Sequence, residues 1–224
     1  ALSKHSEGGE RVLVEPFYEW IINKSEIVNA DSPIIKNAIY VEDLQPYIER
    51  KLYLVNMGHA ATAYIGFLAG ESTIQSALRN AKIEHLVRET LNEASQYILR
   101  KFNMDPKDMS DFIERIIKRF KNKNISDSIL RVGRSPIRKL GYNERLIKPT
   151  RELFDLGLSI EYLSVAVAAA FLFDNPDDEE SVILQNYICE NGIEQAILHF
   201  TELENKTIRE KIKEIYYQLK IQKW

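Results

Sequence analysis

The chain has 224 residues, of which 45% are hydrophobic and 28% are charged, so it can build one large domain or two small ones and is not expected to be disordered. A net charge of −3 argues against a general nucleic-acid-binding protein, although it leaves room for local basic patches. The single cysteine, Cys189, favours a reducing, cytoplasmic setting. The longest apolar run, from Leu163 to Phe173, is too short to cross a bilayer, and the polar opening residues do not resemble a signal peptide.

Residues 1–40 are predicted to be a lead-in and a seam toward another domain. Alternation of polar and β-branched residues from Arg11 to Glu15 predicts a short strand. Glu19 and Trp20 follow it and could face a neighbouring domain, although Trp20 could equally pack in the core. Residues 41–224 are predicted to form a helical domain.

The stretch from Arg50 to Gly70 is predicted to be a helix, because apolar residues fill successive turns and no proline interrupts them. At about 100° per residue, Asn56 lies roughly 140° and His59 roughly 80° around this helix from Lys51, so the three polar side chains can share one broad face. A buried lysine can take a hydroxyl proton, while Asn and His can hydrogen-bond an oxygen that gains negative charge. Spacing alone leaves open the plainer roles of a surface lysine, a satisfied core amide and a packing histidine.

Helical periodicity dominates the rest of the chain, which predicts a mainly α fold, a multi-helix bundle with at most a small β element near the N-terminus. Ser72 is the expected cap of the first downstream helix, and Gly192 is expected to stop a later one. His85 is expected to have a surface or packing role, and His199 is expected to be a surface residue. The predicted helices cover residues 73–102, 108–120, 150–156, 160–173, 179–191, 193–201 and 206–221.

Residues 125–152 carry a cluster of cations in a segment that Gly133, Pro136 and Gly141 break into irregular pieces. Clustered guanidinium groups recognise phosphate in a bidentate manner, whereas the alternative is an ordinary solvated basic surface. The cations are Arg131, Arg134, Arg138, Lys139, Arg145, Lys148 and Arg151.

Several common site signatures do not occur in the sequence. The nine glycines form no G-x-G-x-x-G and there is no alternating βαβ pattern, so no cofactor-binding residues are predicted in this chain. The four histidines and one cysteine have no zinc-site spacing, and no G-x-S-x-G is present. No metal site is predicted.

Three stretches resemble a known family. They are VLVEPFYEWII at residues 12–22, ERKLYLVNMGHAATAYIGFLAG at 49–70 and RVGRSPIRKLGYNERLIKP at 131–149. The spacing Lys51-x4-Asn56-x2-His59 resembles the signature of the zinc-independent, polyol-specific long-chain dehydrogenases. The amino-acid sequences of all three stretches are similar to those of the branch that acts on mannitol 1-phosphate.

The resemblance implies a helical C-terminal domain of the 6-phosphogluconate-dehydrogenase type, with an NAD-binding Rossmann domain ahead of it; the first residue, Ala rather than Met, is interpreted as a truncation. The complete enzyme would interconvert D-mannitol 1-phosphate and D-fructose 6-phosphate with NAD and without a metal. Lys51 would be the general base, and Asn56 and His59 would bind the reacting oxygen. The cations expected to bind the substrate phosphate are Arg134, Arg138, Lys139 and Lys148.

Two alternatives remain open from the sequence. A hexuronate or unphosphorylated polyol oxidoreductase of the same family would use the basic segment for a carboxylate or leave it in solvent. A non-enzymatic helical interaction module would use it to dock an acidic partner. The expected partners are a sugar or polyol phosphate and the chain's own Rossmann domain, with no nucleic acid and no membrane.

Overall fold

The structure, a computed structural model, describes residues 18–29, 33–124, 127–222 and 224. It is mainly helical, as predicted, with a small sheet near the N-terminus in which β1 (Ile21–Asn23) pairs in parallel with β2 (Ile39–Val41). Ile21 lies opposite Ile39, and a single 3-10 turn, Lys24–Glu26, follows β1. The strand predicted from Arg11 to Glu15 lies outside the described residues.

Helices make up most of the remaining described chain. They are α1 (Gln45–Arg50), a π-helical segment (Lys51–Asn56), α2 (Met57–Leu68), α3 (Ile74–Ala77), α4 (Ala81–Phe102), α5 (Pro106–Phe120), α6 (Ile129–Gly133), α7 (Pro136–Lys139), α8 (Ile147–Asp155), α9 (Glu161–Phe171), α10 (Glu179–Thr201) and α11 (Lys206–Ile221). None of these described helices is both long enough and apolar enough to cross a membrane.

Helices α2 and α9 form the centre of the core. Both are rich in alanine, and α9 packs against α2, α4 and α11. Small side chains allow the helix axes to approach closely, and larger groups such as Tyr64 and Phe173 fill the remaining space with their rings 5.4 Å apart. This buried pair of helices is the support on which the polar residues of α2 are presented.

The predicted helix over residues 73–102 is two helices. Thr73, and not Ser72, begins α3: its hydroxyl accepts from the Ser76 backbone N–H at 3.0 Å, and the Ser76 hydroxyl accepts from the Thr73 N–H at 3.2 Å. Asn80 then accepts from the Lys82 N–H at 3.0 Å and begins α4. The apolar periodicity runs through this break, and the break is marked by Asn80, the cap of α4.

Other boundaries differ from the predictions by a few residues. The helix expected at residue 150 begins at Ile147, and Asp105 caps α5 through the N–H groups of Lys107 and Asp108. Gly192 interrupts α10 as a kink with φ 79° and ψ 163°, so it breaks the helix as predicted, and the chain is helical again after it.

Candidate active site

A polar cavity of about 180 Å³ lies where the end of the π-helical segment and the start of α2 face the segment containing α6 and α7. We call it the basic cavity; its lining residues are Asn56, His59, Ala60, Arg131, Val132, Arg134, Arg138, Lys139 and Arg145. None of these is an acid. Two of the three motif residues therefore share a cavity with three of the four cations expected to bind phosphate, an arrangement that suits an anionic polar ligand.

The backbone of the basic segment is held from two sides. Gly133 lies so close to the Phe173 ring that a Cβ on it would be 2.6 Å from a ring carbon, so only glycine fits there without movement. On the other side, the Ser135 and Arg138 backbone N–H groups each donate at 2.8 Å to a carboxylate at the start of α10. Those acceptors are Asp178 and Glu180.

Because the acids at the start of α10 bind backbone groups, the nearby guanidinium groups are left for a ligand. Arg134 and Arg138 are exposed at the cavity, and neither forms an ion pair with a described residue. Arg145, by contrast, is paired with Glu144 at 3.3 Å. Two cations without an acidic partner among the described residues therefore lie at one small cavity, which favours an anionic ligand.

Lys139 is buried, with 4% of its surface exposed. Its ammonium group donates to the backbone carbonyls of Val132, at 2.7 Å, and Arg134, and lies 5.7 Å from the ring centre of Tyr64. Burial, assisted by the neighbouring charges of Arg145 and Arg138, lowers the pKa of Lys139 to about 7. Lys139 thus braces the basic segment, and in its ammonium form, with two donors committed to carbonyls, it keeps one N–H for a ligand.

Lys148 does not line the basic cavity. Its ammonium group lies 5.7 Å from the ring centre of Tyr53, in a cation–π contact. The structure therefore separates Lys148 from the other three cations expected to bind phosphate.

His59 is held at both its ring face and one ring nitrogen. Its ring stacks on Phe120, with centroids 4.8 Å apart and 20° between the planes, and Nε2 lies 3.1 Å from a carboxylate oxygen of Asp127. Asp127 is also paired with Arg131. The hydrogen bond with His59, followed by the charges of His59 and Arg131, lowers the pKa of Asp127 against the opposing effect of burial.

Lys51 opens onto a different cavity. This second cavity has a volume of about 450 Å³ and includes the exposed aromatic residues Tyr18 and Trp20 in its lining, while Lys51 itself is exposed. The π-helical segment changes the geometry expected from an α-helix, because its hydrogen bonds span five residues, as the Met57 N–H to Leu52 carbonyl bond does. Lys51 and Asn56, the first and last residues of this segment, line separate cavities. The catalytic role of Lys51 stays a prediction.

Residues 43–221 match the family model described as the mannitol dehydrogenase C-terminal domain. The chain belongs to this family. It is 46% identical over 192 residues to a mannitol-1-phosphate 5-dehydrogenase of Halalkalibacterium halodurans, a match that covers 86% of this chain and 51% of that protein. A protein of the same name from Geobacillus stearothermophilus is 44% identical over 194 residues, with 86% and 50% covered. The chain thus spans about half the length of these curated relatives.

The solved structure of Pseudomonas fluorescens mannitol 2-dehydrogenase, a ternary complex with NAD and D-mannitol, has a similar fold. It superposes with a TM-score of 0.74 over 94% of this chain and 45% of that one, at 20% identity. At this identity the likeness concerns the fold, which agrees with the helical architecture of a mannitol dehydrogenase C-terminal domain.

The described part of the mannitol dehydrogenase C-terminal domain contains little β structure. Among the residues that the structure describes, the sheet has two strands of three residues, and the sequence contains no G-x-G-x-x-G pattern. Among the described residues, no group of three His, Cys, Asp or Glu side chains is arranged to hold a metal ion.

Asp127 is the site residue that sequence reasoning missed. It belongs to no motif, and its partner His59 lies far away in the sequence. Arg145 lines the basic cavity, although it is not among the residues predicted to bind phosphate. The composition of residues 125–152 directs attention to their cations. The acid near the start of this segment, Asp127, becomes a candidate only when the fold places it beside His59.

Proposed function

We propose that this chain is the substrate-binding and catalytic domain of an NAD-dependent oxidoreductase that interconverts D-mannitol 1-phosphate and D-fructose 6-phosphate. The observation that carries the proposal is the basic cavity, in which unpaired arginines lie beside the Asn and His of the family signature. Both relatives reported above are named mannitol-1-phosphate 5-dehydrogenase, which supports mannitol 1-phosphate as the substrate.

The phosphate would bind at Arg134 and Arg138. Both guanidinium groups are planar forks of N–H donors that match phosphate oxygens, and neither has to break an ion pair with a described residue. Lys139 would contribute mainly by holding the segment in place, with its third N–H available to the ligand. Lys148 remains a candidate only if the substrate extends beyond the cavity toward Tyr53.

The reacting carbon would lie at the Asn56 and His59 end of the cavity. During oxidation, Lys51 would remove the hydroxyl proton, while Asn56 and His59 hydrogen-bond the oxygen as it becomes a carbonyl oxygen. In the reverse direction the protonated Lys51 would return the proton. No metal is required for this scheme.

A Rossmann domain outside this chain would hold NAD, which accepts the hydride in the direction of oxidation. The second cavity is the face we assign to that domain, because Tyr18 and Trp20 are 66% and 54% exposed there and residues 1–40 would form the seam. Covering this face would bury Lys51 and exclude water from it, which is the environment that a lysine base needs. Residues 41–224 would then be the helical catalytic domain.

The test is substrate profiling of the complete gene product. Purified protein is assayed with NADH and fructose 6-phosphate or fructose, and with NAD and mannitol 1-phosphate, mannitol or a hexuronate, before and after treatment with a chelator. We expect turnover that requires the phosphate and survives the chelator. Equal turnover of the unphosphorylated sugars, a preference for hexuronate, or no turnover at all would refute the proposed function.

A further inference from the structure

Lys139 is a buried amino group without a counterion in the described part of the chain. Only 4% of its surface is exposed, and it forms no ion pair with a described residue. Asp178 is the acid nearest in effect, but one of its carboxylate oxygens accepts from the Ser135 N–H at 2.8 Å. Tyr64 supplies no negative charge, because burial raises the pKa of its hydroxyl. Since buried charges in proteins are ordinarily paired, this position favours a counterion that comes from a ligand.

The surroundings of Lys139 keep it partly uncharged until an anion arrives. Burial and the neighbouring guanidinium groups lower its pKa to about 7, so above that pH most of the amino group is neutral. The charged and titratable groups that face it come from its own segment, from the start of α10, from α2 and from across the basic cavity; they are Arg134, Arg138, Arg145, Asp178, Tyr64, His59 and Arg131.

The hydrogen bonds of Lys139 match both of its protonation states. A neutral amine has two N–H groups, and the structure provides two acceptors for them, the backbone carbonyls of Val132 and Arg134. The third position on the nitrogen is a lone pair in the amine and an N–H in the ammonium ion. Because Lys139 lines the basic cavity, an anionic oxygen there would meet a repelling lone pair in the first state and a donor in the second.

We propose that Lys139 couples phosphate binding to proton uptake: it is an amine before the ligand binds and becomes the ammonium group that donates its third N–H to a phosphate oxygen. The inference rests on the proposed function and specifies the ligand group of that site as a dianion. The proton comes from the solvent and binds to the amine lone pair, and no bond of the substrate is broken. It is distinct from the hydroxyl proton that Lys51 removes.

Proton uptake gives the affinity a definite dependence on pH. Below about pH 7 Lys139 already holds the proton, so binding requires no uptake. Above it the proton must be added on binding, and affinity falls as pH rises until the pH passes the higher pKa of the liganded state. An opposite charge close by raises a pKa by about 1–3. The Kd should therefore rise about 5- to 50-fold from pH 7 to pH 9.

The experiment is a calorimetric titration of the complete gene product with sodium sulfate at pH 7, 8 and 9, with the ionic strength held constant by sodium chloride. Sulfate has the shape and charge of a phosphate dianion but does not titrate in this range, so any proton taken up binds to the protein. Besides the rise in Kd, the heats in two buffers of different ionisation enthalpy at pH 8 should show an uptake of about 0.4–0.9 proton per sulfate. This buffer comparison needs no variant.

Three variants identify the group that takes up the proton. Lys139→Gln keeps an NH2 group for the two carbonyls but does not titrate, so its Kd should change less than twofold from pH 7 to pH 9, with no proton uptake. His59→Gln should retain the uptake, although a histidine titrates near neutral pH and this one lines the same cavity. Arg134→Ala combined with Arg138→Ala should weaken sulfate binding at every pH, which assigns the heat to the basic cavity.

The proposal is overturned if sulfate does not bind the wild type, if the wild-type Kd stays within twofold from pH 7 to pH 9, or if Lys139→Gln takes up the same proton. Loss of the uptake in His59→Gln would also overturn it, by assigning the proton to the histidine. These outcomes are separate from the proposed function, because sulfate binding requires no turnover. Proton uptake in an enzyme without activity on the sugar phosphates would refute the proposed function and leave the role of Lys139 standing, whereas an active enzyme without uptake would refute only that role.

Discussion

Replacing Arg134 and Arg138 by alanine tests the phosphate end of the site most directly. Both side chains line the basic cavity, are exposed and have no acidic partner among the described residues, so their removal leaves no unpaired carboxylate behind. Their backbones remain tied, through the N–H groups of Ser135 and Arg138 to the start of α10, whatever the side chain is. We therefore expect the variants to fold normally and to lose affinity for the phosphate.

The magnitude follows from the exposure of the two arginines. A hydrogen bond to a charged group contributes about 1.5–3 kcal/mol, and loss of a fully desolvated pair costs more. Because Arg134 and Arg138 are exposed, the lower end applies, about 1.5 kcal/mol each. That corresponds to a rise in KM of roughly tenfold for each single variant and about 100-fold for the double variant if the effects add.

The assay compares KM for fructose 6-phosphate and mannitol 1-phosphate among the wild type, both single variants and the double variant of the complete gene product. Arg100→Ala is the matched control, because Arg100 is an exposed arginine at the end of α4 and is absent from the cavity lining. Inorganic phosphate should inhibit the wild type and the control competitively, and the double variant much less. Unchanged KM values, or an equal loss with Arg100→Ala, would refute this assignment.

Three further predictions concern the base, the buried lysine and the cofactor. Lys51→Ala should lower kcat of the complete enzyme by about 10²–10⁴-fold with an unchanged melting temperature. Asn56→Ala and His59→Ala should each lower kcat less, because the two side chains share one substrate oxygen. Near-normal turnover of folded Lys51→Ala would contradict the base assignment. Lys139 should make stability depend on pH, because its pKa is about 7 in the folded state and ordinarily about 10.4. Between these values the unfolded chain binds more protons than the folded chain does. The free energy of unfolding, measured by urea denaturation, should therefore rise by about 1 kcal/mol per pH unit from pH 8 to pH 9 relative to Lys139→Met. A flat difference between the two proteins would contradict this. Finally, the 224-residue chain should unfold cooperatively on heating but give no heat of binding with NADH in calorimetric titration, since it has no Gly-rich turn for a pyrophosphate; micromolar binding would mean that the cofactor site is misplaced.

Local signals in the sequence determined much of the fold. The last helix was predicted over residues 206–221 and occupies those residues, because an Asn at 205 caps its start and apolar residues recur on one face. The uniformly apolar stretch at 160–173 predicted a buried helix, and α9 is buried. Gly192 predicted a break and forms the kink in α10. Each of these depends on interactions within a few residues, which a sequence displays directly.

The sequence determined the site only in part. The spacing of Lys51, Asn56 and His59 identified the motif, and the composition of residues 125–152 identified the basic segment. The folded chain decided which of their members meet: Asn56 and His59 share a cavity with Arg134 and Arg138, whereas Lys51 opens onto another cavity. Packing also buried Lys139 and turned its ammonium group toward backbone carbonyls.

Asp127 and the π-helical segment show why the rest required the tertiary structure. The first acts on His59 across a long stretch of chain, and the second changes the angular spacing between Lys51 and Asn56 without any proline or glycine within it to reveal the change. Hydrogen bonds, burial and pKa values depend on the distances between atoms from separate elements. Those distances are set when α2, α3 and α6 pack together, and no spacing along the sequence records them.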